Sequence, residues 1–138
     1  MSVIIVTPRP PLNLFEVVRM RVTQEWTTIY EVPKYEIPAS GPTPTYYIEA
    51  AAIMTGVMIA NTMATPIIVS VQALNTAGDA YAILSDTLVP VGDHLLMDLN
   101  RQVLRTDEIL QIKCATAQTA DVHFSFILNQ REQFEVIV

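Results

Sequence analysis

The chain reads as all-β: an antiparallel β-sandwich, jelly-roll or immunoglobulin-like, with an extended N-terminal arm and a C-terminal tail. Three observations predict this. Short runs of alternating apolar residues recur along the chain. Turn-forming Asn, Asp, Gly and Pro separate them at intervals of roughly ten residues. No segment holds a sustained helical period; "LLMDLNRQVL" comes nearest, as a single helical turn.

The elements follow in order. "SVIIV" is a short β-type run stopped by "TPRPP", whose prolines make residues 7–11 a stiff extended arm. In residues 14–22, Phe15, Val17, Arg19 and Arg21 share one face; Leu14, Glu16, Val18, Met20 and Val22 share the other. "WTTIYEVP" (26–33) is β-rich and ends at proline. "KYEIPASGPTPT" (34–45) holds three prolines and a glycine and reads as a long loop. The most apolar stretch, 46–71, is too interrupted for a membrane span, which needs about 20 apolar residues. Its alanines and methionines favour helix. However, Ile53, Thr55, Val57 and Ile59 alternate with Ala52, Met54, Gly56, Met58 and Ala60, which predicts a strand over 50–60 with two distinct faces. "NTMATP" turns into a strand at 67–74, and further strands fall at 80–90, 94–99, 109–115 and 122–128. The tail "FEVIV" is again β-type. The organisation expected is an arm over 1–13, a sandwich over 14–128 and a tail strand over 129–138.

Neither predicted face of 50–60 is polar. One face of a sandwich strand packs inward and the other ordinarily meets water. A strand apolar on both faces implies a second cover: the 34–45 loop, another subunit or a neighbouring protein. Composition agrees, with 51% hydrophobic and only 16% charged residues, below the usual roughly 25%. A net charge of −6 with scattered basic residues argues against a nucleic-acid backbone as partner. The N-terminus lacks the basic and apolar regions of a signal peptide, and a lone Cys114 allows no intrachain disulfide; both fit folding in a cytoplasm.

Catalytic chemistry finds little footing. The four glycines match no phosphate loop or dinucleotide fingerprint. His94 follows a turn and His123 sits on a polar strand face, without the further ligands zinc needs. Asp79, Asp86 and Asp93 are too sparse for a calcium loop. Cys114 shares a face with Leu110 and Ile112 and reads as a small buried hydrophobe. Trp26, Tyr30, Tyr35, Tyr46 and Tyr47 are open to two readings, a sugar platform or core filling and loop anchoring. No catalytic, metal-binding or cofactor-binding residue is expected.

The pattern of apolar positions and turns over about 26–128 resembles small β-sandwich virion proteins of tailed bacteriophages. "TTIYEVP" resembles their "x-LYTVP" opening, and "IMTGVMIANT" the strand ending in "N-t" that follows. "PIIVSVQAL", "AYAILSDTLVPVGDHLLMDL" and "QVLRTDEILQIKCATAQTADVHFSFIL" resemble the successive later strands. Two departures stand out: the 34–45 insert where the family has a glycine, and Thr106 in "RTDE" where it has "aGD". The resemblance implies a non-enzymatic structural protein of the virion: a capsid decoration or cement protein, or a neck or tail component. A carbohydrate-binding or receptor-binding module is the other reading. The implied partners are copies of the chain itself, as a trimer for a decoration protein, and the major capsid protein or neck and tail proteins, with neither nucleic acid nor membrane.

Candidate contact residues then lie in four places. The arm offers Val3, Ile4, Ile5, Val6, Pro8, Pro10 and Pro11. The loop offers Tyr35, Pro38 and Pro42, the 50–60 strand Met54 and Met58, and the tail Phe134, Val136 and Ile137. Exposed terminal strands invite pairing with a neighbour's sheet.

Overall fold

Alternation along the chain becomes ten strands in a computed structural model, which describes residues 12–37, 39, 41–42 and 46–133. They are β1 (Leu12–Val22), β2 (Thr27–Glu31), β3 (Tyr35–Ile37), β4 (Tyr46–Ala60), β5 (Ile67–Leu74), β6 (Ala80–Val89), β7 (His94–Asp98), β8 (Val103–Arg105), β9 (Ile109–Cys114) and β10 (Ala120–Gln133). The described residues contain no helix, so "LLMDLNRQVL" supplies β7, a turn and the start of β8.

The strands form two antiparallel sheets. One runs β1-β10-β4, and the far edge of β4 pairs successively with β3, β8 and β7. The other runs β2-β9-β5-β6. The first long strand lies beside the last, and successive strands mostly cross between sheets. That is the jelly-roll order, not the immunoglobulin one. The loop expected over 34–45 contains a strand after all, because β3 pairs with residues 46–48 of β4. β3 itself lies in the plane of the sheet, along the edge of β4.

The core is where the inner faces meet. Val22, Ile67, Val69, Val71, Leu110, Ile112, Ala120, Val122 and Phe124 are buried there. Phe124 and Phe126 stack with centroids 4.9 Å apart, and Tyr30 packs on Phe126 at 4.3 Å. A bulge in β2 between Thr28 and Tyr30 turns two consecutive residues, Ile29 and Tyr30, toward this cluster. At one end, buried Asn61 donates its amide to the carbonyls of Thr65, Val89 and Pro90 at 2.9–3.1 Å and accepts from the Met63 amide. It ties the β4–β5 turn to the end of β6.

The two-faced reading of 50–60 needs one correction. Ser125 pairs with Gly56 and Phe126 with Met54, so Thr55 is the extra residue of a bulge. A single inserted residue flips every later side chain to the other face. Ala50, Ala52 and Met54 point inward before the bulge, Val57 and Ile59 after it. Ile53 therefore lies on the opposite side from Val57 and Ile59, not with them. Hydroxyls stitch the irregularity: Thr55 donates to the Ser125 carbonyl at 2.8 Å, and Ser125 donates to the Gly56 carbonyl at 3.3 Å. A side chain at 56 would press on the Met97 carbonyl, at 3.3 Å from its Cβ, so glycine admits β7 here. On the far edge, β7 and β8 form one strand line interrupted opposite the bulge. Asn100 and Arg101, both with positive φ, close a tight turn there, and the Gln102 amide donates to the Leu99 carbonyl at 2.9 Å.

Where the resemblance has glycine, Thr106 instead replaces a ladder bond. Its hydroxyl donates to the Ala50 carbonyl at 2.8 Å and accepts from the Ala50 amide at 3.2 Å. Asp107 takes the left-handed conformation of that turn, at φ 66°.

Candidate interaction face

The outer face of the six-stranded sheet is set by register. Phe15 pairs with Ile127, Ile127 with Ile53, and Ile53 with Val103. Four apolar side chains from β1, β10, β4 and β8 thus stand side by side in one row. All point away from the core, because their neighbours on each strand point in. Phe15 is 84% exposed and Val103 51%. Two residues further along, the row is Val17, Ser125, Gly56 and Asp98; the next is Arg19, His123, Met58 and Leu96. Val17 is 50% exposed and Leu96 71%. Single exposed apolar residues are ordinary, but a contiguous row across four strands is not.

Polar groups rim this surface. Arg19 Nε donates to His123 Nδ1 at 3.2 Å, and Arg21 Nε donates to Asp121 Oδ1 at 2.8 Å. The Arg21 hydrogen bond, before any other influence, holds the Asp121 carboxyl below its ordinary value. At the other end Asn129 donates to Asn13 at 2.6 Å.

The opposite outer face, on the four-stranded sheet, has a polar centre. Gln72 donates to Gln111 at 2.8 Å, and Gln111 to Thr28 at 3.4 Å, a ladder across three strands. Beside it, Ser70 accepts from the Asp86 amide at 3.0 Å, where a bulge puts Asp86 at φ 43°. Ile68 and Leu88 lie opposite each other at one end. Lys113 Nζ sits 4.8 Å from the Trp26 ring centroid.

The expected contact residues distribute unevenly. Val3, Ile4, Ile5, Val6, Pro8, Pro10, Pro11, Pro38, Phe134, Val136 and Ile137 lie outside the described residues. Tyr35 opens β3 opposite Ile48, and Pro42 is exposed in a turn. Met58 is half-buried on the outer apolar face. Met54 is 1% exposed between the sheets, because the Thr55 bulge reverses the alternation that groups it with Met58. Phe15, Val17, Ile53, Leu96, Val103 and Ile127 are the face residues that the candidate set omits. The sequence alternation groups Phe15 with Val17, and Ile127 with His123 and Ser125, but does not show that these faces adjoin.

Of the five aromatics of the sugar-platform reading, the two with described side chains, Trp26 and Tyr30, lie apart. Tyr30 is in the core cluster, and Trp26, on the other sheet's rim, carries Lys113 over its ring. Cys114 is buried with Leu110 and Ile112, and burial pushes its thiol up to about 11. Among the described residues no group of three or more His, Cys, Asp or Glu is placed to hold a metal ion.

No protein-family model and no curated protein matches the chain. Among solved structures, it is similar to a chain of the IBDV viral particle, at 8% identity and a TM-score of 0.41, covering 94% of this chain and 37% of that one. It is also similar to a chain of infectious bursal disease virus, Gx strain, at 11% identity and a TM-score of 0.35, covering 93% and 33%. The chain thus spans well under half the length of either. At these identities and scores the similarity decides nothing about what the chain does.

Proposed function

We propose that the protein is a non-enzymatic structural component of a virion, a capsid decoration or cement protein, with a neck or tail component as the alternative position. The observation that carries this reading is the apolar row Phe15–Ile127–Ile53–Val103 on the outer face of the six-stranded sheet, its two ends exposed and its two central residues half-buried. Apolar area facing solvent gains about 25 cal/mol per Å² when covered, and joining subunits is the task that uses it. The sequence resemblance over 26–128 supports the assignment to a tailed-phage particle.

In this reading the body of the sandwich makes contacts between copies. The arm 1–11, the loop around Pro38 and Pro42, and the tail 134–138 reach the capsid protein. An arm held extended by its prolines, as the sequence leads one to expect, would lower the ordering cost of docking. The experiment is co-sedimentation with particles lacking the protein. The full chain binds; a chain without residues 1–11 keeps its unfolding midpoint and binds at least tenfold more weakly. Equal binding by the truncated chain removes the arm from the mechanism, and no binding by the full chain removes the virion role.

A further inference from the structure

We propose that two copies of this chain pack through the outer face of the six-stranded sheet, face to face. Their two-fold axis runs parallel to the strands, between β4 and β10. This goes beyond the virion role and does not depend on it.

Register supplies the first argument. A two-fold along the strands exchanges β1 with the β7–β8 line and β10 with β4, and keeps each level in place. The apolar row occupies one level across all four strands. It is therefore laid upon itself: Phe15 over the second copy's Val103, and Ile127 over the second copy's Ile53. An axis across the strands, through the centre of the face, would put Phe15 over Arg19 and Ile127 over His123. A crosswise axis along the row itself would also match it, but would overlap only three of the five levels; the lengthwise axis matches apolar to apolar over the whole row and keeps the full face in contact. Isologous contacts of this kind close at two copies, which sets the proposal apart from the trimer that the resemblance implies.

Charge supplies the second. The β1 edge of the face carries Arg19 and Arg21, and the β7 edge carries Asp98. The exchange brings Arg19 of each copy within one level of Asp98 on the other. Arg21, already bonded to Asp121, comes over His94, and Arg105 comes over Asn13. No two unpaired charges of like sign are superposed.

The centre of the face also suits close approach. Its middle level carries Ser125 and Gly56, small residues between bulkier rows, so two sheets can reach the usual spacing of about 10 Å. The Ser125 hydroxyl already has protein partners in Thr55 and Gly56, so covering it strands no polar group. Size is sufficient as well. Four strands about 4.8 Å apart and five outward positions about 6.7 Å apart give roughly 20 by 30 Å, so about 600 Å² per copy. Twice that reaches the lower end of specific interfaces, about 1,200 Å² in total.

The test is sedimentation equilibrium of the full chain over a wide concentration range. The expected result is a monomer–dimer equilibrium. Val103→Glu and Leu96→Glu, both at exposed positions, are expected to weaken the dimer at least tenfold with unchanged unfolding midpoints. Thr28→Glu on the other sheet is expected to leave it unchanged. A Phe15→Cys, Val103→Cys double variant then tests the pairing itself. Within one copy those positions are three strand spacings apart, about 14 Å, whereas across the proposed interface they face each other at the sheet spacing of about 10 Å. A short thiol-reactive bis-maleimide, able to bridge the sheet spacing but not the distance within one copy, is expected to link two copies into a covalent dimer. A chain monomeric at all concentrations, including one whose own termini cover the face, overturns the proposal. So does a trimer, a dimer indifferent to Val103→Glu, or a dimer that the double variant does not cross-link.

Discussion

The two outer faces of this sandwich are built from the same alternation, yet they are opposite in character. On the four-stranded sheet the outward positions of β2, β9 and β5 are Thr28, Gln111 and Gln72, which bond one another. On the six-stranded sheet the comparable row is Phe15, Ile127, Ile53 and Val103, which have nothing to bond. One face satisfies its centre with its own hydrogen bonds and confines its exposed apolar pair, Ile68 and Leu88, to one end. The other leaves apolar area that only another surface can cover. Fold alone does not distinguish them, since jelly rolls serve capsids, lectins and cupins alike. The difference between the faces is what supports the proposed role in assembly.

The largest test of that contrast is the bulge. Deleting Thr55 removes the one-residue offset and forces either Met54 or Val57 and Ile59 out of the core. The expected result is loss of the cooperative unfolding transition, or a destabilisation of more than about 4 kcal/mol. A deletion variant with near-normal urea midpoint would show that the offset does not set the faces.

A smaller pair of substitutions sharpens the same point within one strand. Met54→Ala, at a side chain buried between the sheets, is expected to cost about 2–4 kcal/mol. Ile53→Ala, one residue away on the outer face, is expected to cost about 1 kcal/mol or less under conditions where the chain is monomeric. Equal costs in urea unfolding would mean that the outer face is already covered within one chain.

The smallest effect lies on the rim. Asp121 is held below its ordinary pKa chiefly by the hydrogen bond from Arg21. A depressed carboxylate contributes stability above its unfolded pKa and loses it as pH falls through the lowered folded value. Arg21→Gln is expected to raise the Asp121 titration midpoint toward the ordinary carboxylate value, read by NMR. Both groups are exposed, so stability near neutral pH is expected to change little. An unchanged Asp121 midpoint would sink the assignment of the shift to Arg21.

Much of the architecture was legible because alternation and turn residues are local signals. "IIVSVQAL" is a strand over the very residues expected, and Leu110, Ile112 and Cys114 share a buried face as their spacing implies. What was not legible depends on partners far along the chain. The choice of jelly roll over immunoglobulin order depends on β1 pairing with β10, about a hundred residues away. Thr55-Gly56 hides a bulge inside an unbroken β-branched pattern, and that is why Met54 was grouped with Met58. Tyr35–Ile37 was masked by surrounding prolines and becomes a strand only by pairing with β4. Asn61 stood in plain view after its strand, but its role needs three carbonyls from elsewhere. The apolar row is the extreme case: Phe15 and Val103 become neighbours in one row only through two intervening strands.

The most direct measurement is hydroxyl-radical footprinting of the intact chain, read by mass spectrometry from dilute to concentrated solution. Phe15, Met58 and Leu96 report on the six-stranded sheet, and Trp26, 37% exposed, reports on the rim of the other. The prediction is that the first three lose reactivity together as concentration rises while Trp26 keeps its own. Reactivity that stays constant at all four, or falls equally at all four, would contradict the claim that one face of this sandwich is built to be covered and the other is not.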